Sequence, residues 1–97
     1  MSAFSVHKVK ITDAPKPEVD ENAKEFRMRS VLWITETFPG RSAEEVHAIH
    51  NRIAGKAGYG ICAKESVVRT LKTLVARGRI ERVQGEEDRR EATWSAV

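Results

Sequence analysis

The stretch VVRTLKTLVARGRIERV, residues 67–83, changes its hydrophobic period half-way along. Val67, Leu71 and Leu74 recur at helical spacing, with Val75 at the edge of that seam. After Gly78 the chain reads as a strand. A helix that must stop within one residue and hand over to a strand needs a left-handed residue at the junction, and glycine takes that conformation without a Cβ penalty. The stretch therefore predicts a helix ending at Gly78, followed by a hairpin of RIERVQ (79–84) and EATWSAV (91–97) joined by GEEDRR. Ile80, Val83 and Trp94 are expected to fold that hairpin back over the helices.

Two more helices are expected upstream. From about Glu21 to Phe38, Met28, Val31, Leu32 and Thr35 recur at three and four, with Trp33 and Ile34 widening the stripe and Phe38 closing it. Pro39-Gly40 stops this helix. Ser42 followed by Glu45 reads as a capping box for a second helix, whose buried face is Val46, Ile49, His50 and Ile53. Gly55, Gly58 and Gly60 are expected to end it and form a turn. The third helix then starts near Ala63 or Lys64 and runs to about 77.

Residues 1–22 read as an arm and linker, and 23–97 as the folded domain. FSVHKVKI has strand character, whereas Pro15 and Pro17 favour an extended linker. Such an arm is expected either to fray or to dock elsewhere, a second subunit included.

A chain of 97 residues can bury one modest core and has little room for a substrate cleft. No nucleophile motif is present, and no Gly-Lys-Ser/Thr pattern follows the glycines, so no enzyme activity is expected. His47 and His50 sit three apart, but no Cys, Asp or Glu cluster joins them in sequence, so neither metal nor cofactor is expected. His50 is expected to border the core and His47 to face solvent. Cys62 is the single cysteine, cannot form an internal disulfide, and reads as a partly buried turn residue. With no membrane-length apolar run and no signal pattern, a cytoplasmic location is expected.

The net charge is +3, and its distribution says more than its sum. Between residues 63 and 85 lie Lys64, Arg69, Lys72, Arg77, Arg79 and Arg82, against only Glu65 and Glu81. The basic excess thus lies on one helix and the strand after it, a distribution that suits a polyanionic partner and that a solvated helix face also shows.

The order helix, helix, helix, hairpin resembles the winged helix-turn-helix domain of DNA-binding regulators. SAEEVHAIHNRI and VVRTLKTLVARGRIERV are most similar to the N-terminal domain of the ferric uptake regulator family. In that family a helix opening Ser-Ala-Glu-Glu precedes a recognition helix of the Val-Tyr-Arg-Thr-Leu type. Here the matching residues are Val67 to Leu71, with Val68 at the aromatic position and a turn about one residue longer. The family's metal-binding dimerisation domain has no counterpart in these residues, so regulation by metal is not carried over.

The resemblance implies an α+β fold and a double-stranded DNA partner. With Val67, Leu71 and Leu74 buried, Lys64, Glu65, Ser66, Val68, Arg69 and Lys72 are expected to face solvent on a helix suited to the major groove. Arg69 is the candidate for a guanine, Lys64 and Lys72 for phosphates, Ser66 for a phosphate or base edge, and Val68 for a thymine methyl. Arg82, Arg89 and Arg90 of the wing are expected on backbone phosphates or in the minor groove, although Glu86, Glu87 and Asp88 share its tip. A homodimer would present two such helices to neighbouring major grooves, joined through the arm or the first helix around Trp33. The rival expectation is a protein-interaction adaptor that uses the arm and the acidic wing tip.

Overall fold

Local sequence sets the helix boundaries in the computed structural model, which describes residues 8–83 and 92–97. Helix α1 spans Ala23–Thr37 and opens on a full capping box. Asn22 Oδ1 accepts from the Glu25 amide at 2.8 Å, and Glu25 Oε1 accepts from the Asn22 amide at 3.1 Å. Helix α2, Ala43–Ala57, repeats the device with Ser42 and Glu45, as its sequence predicts. It runs through Gly55 instead of ending there, a tolerable cost for one helical glycine packed beside buried Ala54. Helix α3, Lys64–Ala76, ends in a Schellman motif. Gly78 is left-handed at φ +72°, the Arg79 amide donates to Leu74 O at 3.0 Å, and the Gly78 amide donates to Val75 O at 3.0 Å.

Strands β2 (Ile80–Val83) and β3 (Thr93–Ala96) pair antiparallel with Ile80 opposite Ala96 and Arg82 opposite Trp94. The expected two-stranded hairpin gains a third member, because β1 (Arg41–Ser42) pairs with the other edge of β3. Two residues are too few to show an alternating pattern, so the sequence gives no strand signal there. Trp94 O and Ser95 Oγ both accept from the Gly40 amide, at 3.1 and 2.8 Å, and lead the chain into β1. The result is an α+β fold of three helices with a three-stranded antiparallel sheet ordered β1-β3-β2 among the described residues.

The core lies between the helices and one face of the sheet. Val46, Ile49, His50 and Ile53 are buried along α2, and Val67, Leu71 and Leu74 along α3, as expected. On α1 the buried face is rotated from expectation: Phe26, Ser30, Val31, Ile34 and Thr35 face inward, while Met28 and Leu32 are half-buried. Val31, Ile34 and Thr35 are expected on this face, whereas Phe26 and Ser30, a polar residue, are not. Thr35 Oγ1 satisfies itself on Leu32 O at 2.8 Å, which lets a polar residue sit inside. Ile80 and Trp94 cover the sheet side of the core, but Val83 is 47% exposed. Ile80 and Val83 are three apart, so a strand must send them to opposite faces, and Arg82 shares the face of Ile80.

The described part of the N-terminal segment docks on the chain's own helices. Val9 and Ala14 are buried, and Arg52 of α2 donates to Val9 O at 2.9 Å. Arg29 of α1 grips Glu21 through both carboxylate oxygens, at 2.7 and 2.8 Å, and donates to Lys16 O at 3.1 Å. Tyr59 completes the fastening, donating to Glu21 O at 2.7 Å while its ring stacks on Phe26 at 4.7 Å. Phe4 and Val6 lie outside the described residues.

Candidate nucleic-acid interface

Helix α3 has one face committed to the core, where Val67, Thr70, Leu71 and Leu74 are buried. Its opposite face is set by the same periodicity and carries Glu65, Arg69, Lys72 and Ala76, all exposed. Of the residues expected to face a ligand, Arg69 and Lys72 are fully outward, one turn apart and on one side. Lys64, Ser66 and Val68 are half-buried at the flanks of that face. Thr70 and Thr73 bond their hydroxyls back to Ser66 O and Arg69 O, each at 3.0 Å, so both stay within the helix.

Arg82 is brought to the sheet side of this region and placed over an aromatic ring. Its guanidinium carbon lies 5.9 Å from the centroid of the Trp94 ring, directly across the strand pair. Arg41, on the far side of Trp94, occupies the matching position in the β1 register, with Nη1 3.7 Å from Glu45 Oε2. The row Arg41, Trp94, Arg82 thus crosses all three strands, a juxtaposition invisible before β1 is known. Arg77 and Arg79 are also exposed, on either side of Gly78. Their place in the basic stretch was the available signal for them. Arg89 and Arg90, with Glu86, Glu87 and Asp88, lie outside the described residues.

The turn between α2 and α3 is held from α2. His47 is half-buried and does not stand free in solvent: its Nε2 lies 2.7 Å from Cys62 O. A carbonyl only accepts, and this is the ring nitrogen's shortest contact, so the proton belongs on Nε2. Asn51 Nδ2, 3.0 Å from the same nitrogen, is then a neighbour and not a donor to it. Asn51 Oδ1 accepts from the Cys62 amide at 3.2 Å. His50 is buried, with Nδ1 3.4 Å from Asn51 Oδ1 and 3.6 Å from Cys62 Sγ, and burial pushes its pKa down to about 4. Among the described residues no three His, Cys, Asp or Glu side chains converge as metal ligands, and no helix is long and apolar enough to cross a membrane.

No protein family, curated protein or solved structure matches the chain.

Proposed function

We propose that the fold is a winged helix-turn-helix and that the protein is a sequence-specific, double-stranded DNA-binding transcriptional regulator, cytoplasmic and acting as a homodimer. The observation that carries this reading is the outward pair Arg69 and Lys72 in the middle of a helix whose other face is fully used by the core. A rigid helix that presents cations on one side is the shape the major groove admits.

In this reading α3 enters the groove with Arg69 offering two parallel N–H donors to a guanine edge and Lys72 meeting a phosphate. Ser66 and Val68 reach from the flank, toward a phosphate or base edge and a thymine methyl, and Lys64 lies at the helix start, where the backbone passes. Arg82 approaches the adjacent backbone from the sheet, and Arg77 and Arg79 extend the positive surface beyond the C-terminal end of α3. Arg89 and Arg90 of the wing belong to the same proposal.

The test is fluorescence anisotropy of the purified protein on random duplex and on duplexes selected from a genomic library, at several salt concentrations. A selected, roughly palindromic site bound far more tightly than random duplex, with log affinity falling steeply with log salt, is the expected result. Weak or absent binding to every duplex at low salt overturns the regulator reading and leaves a protein-docking role in its place.

A further inference from the structure

We infer that His47 and Asn51 are positioning residues: together they clamp both backbone polar groups of Cys62 and thereby fix the angle at which α3 leaves the core. The specificity consequence rests on the DNA-binding reading above, whereas the clamp itself does not.

The need for a clamp follows from the start of α3. Its N-cap is Ala63, which makes no side-chain cap bond. Alanine at that position forgoes the hydroxyl or carboxylate that ordinarily satisfies the first free amides and fixes the helix origin. Upstream, the nearest packed anchor is Tyr59. Between it and Cys62 stand only left-handed Gly60 and Ile61, which is 78% exposed. Helices α1 and α2, by contrast, each begin with a complete capping box. The start of α3 is therefore defined from another helix.

His47 and Asn51 supply that definition because they are four apart on α2 and so stack on one face. One donates to the carbonyl of Cys62 at 2.7 Å and the other accepts from its amide at 3.2 Å. Gripping both ends of one residue fixes its peptide planes as well as its location, which a single bond cannot do. Cys62 stands two residues before α3, so it acts as the pivot. Arg69 lies roughly 10 Å along the helix from it, and a pivot of about 10° would move Arg69 by about 2 Å. Hydrogen bonds to base edges do not survive such a displacement, whereas a phosphate contact made by a flexible lysine does. Loosening the clamp should therefore lower discrimination between sequences and leave general affinity for duplex nearly intact.

The experiment compares wild type with His47→Ala, His47→Gln and Asn51→Ala in two measurements. The first is the ratio of affinity for a selected site to affinity for random duplex. The second is amide exchange over residues 62–67, read by NMR. The amide nitrogen of glutamine sits where Nε2 does and can donate to the same carbonyl, so His47→Gln should keep the wild-type ratio. Both alanine variants should lose about tenfold in the ratio while random-duplex affinity changes less than about twofold, and exchange at the Cys62 amide should quicken by about tenfold in both. Faster exchange in His47→Ala is the informative result, because His47 does not touch that amide. Unchanged exchange and an unchanged ratio in folded His47→Ala overturn the clamp. So does a folded His47→Gln variant that loses the ratio, which also covers the case in which the alanine variants do not fold. If wild type binds no duplex selectively, the DNA reading falls, and the exchange measurement alone decides the clamp.

Discussion

Arg82 lies opposite Trp94 in the β2–β3 pair, with its guanidinium 5.9 Å from the centre of the indole ring. Trp94 is buried, so its ring is a fixed surface against which the Arg82 guanidinium rests. Arg82→Gln removes the charge and keeps most of the stem. It should cost less than about 1 kcal/mol in urea unfolding, as for an exposed cation–π contact. In DNA titrations it should reduce the salt slope by about one and weaken all sequences alike, the signature of a lost phosphate contact. A change confined to one base position would place Arg82 on a base instead.

On the DNA-binding reading, Arg69 and Lys72 should separate binding from folding, because both are exposed on α3. Reversing both, as Arg69→Glu with Lys72→Glu, should leave the melting temperature within a few degrees of wild type. Affinity for the selected duplex should fall at least about a hundredfold, since each lost contact is worth about 1–3 kcal/mol and repulsion adds to it. A variant that folds and still binds would show that another surface carries the interaction.

Gly78 is held at φ +72° by the Schellman motif, and a Cβ built there meets nothing within 4 Å. The cost of a side chain is therefore conformational strain alone, without collision. Gly78→Ala should destabilise by about 1 kcal/mol, and Gly78→Asn by less, because asparagine enters the left-handed region more readily. Urea midpoints of the two variants measure the difference. Equal losses would point to a steric cause.

These residues show which features a sequence carries openly. Gly78, the Ser42–Glu45 box and the Val46–Ile53 face are local, since each depends on neighbours within a turn or two, and each is found as expected. The β1 strand, the docking of Val9 and the His47–Cys62 contact join residues far apart in the chain, and no local period announces them. The buried face of α1 fell between these cases. Its period is helical and Val31, Ile34 and Thr35 are buried as expected, but Ser30 lies inside it and reads as polar, while Met28 and Leu32 are only half-buried. At the candidate interface, the exposure of Arg69 and Lys72 was legible, while the half-burial of Lys64, Ser66 and Val68 follows from how α3 is rotated against its neighbours.

The buried imidazole of His50 makes a pH prediction with a definite sign. Burial lowers its pKa from the ordinary 6.5 to about 4, with nearby Arg27 and His47 acting in the same direction and the Asn51 contact opposing them. Between those two values the unfolded chain holds the proton and the folded protein does not, so unfolding is favoured as the pH falls. Stability is fully present above about pH 6.5, declines through the window down to about pH 4, and loses nothing further from this group below it. The whole gap corresponds to a loss on the order of 3 kcal/mol. Carboxylates titrate in part of the same range, so the comparison must be with a variant that lacks only this group. His50→Gln keeps a polar side chain of similar reach and removes the titration. Urea unfolding of both proteins at pH 7, 5 and 4 should show wild type losing about 2–3 kcal/mol more than the variant. Parallel losses in the two proteins would mean that His50 keeps an ordinary proton affinity in the folded state.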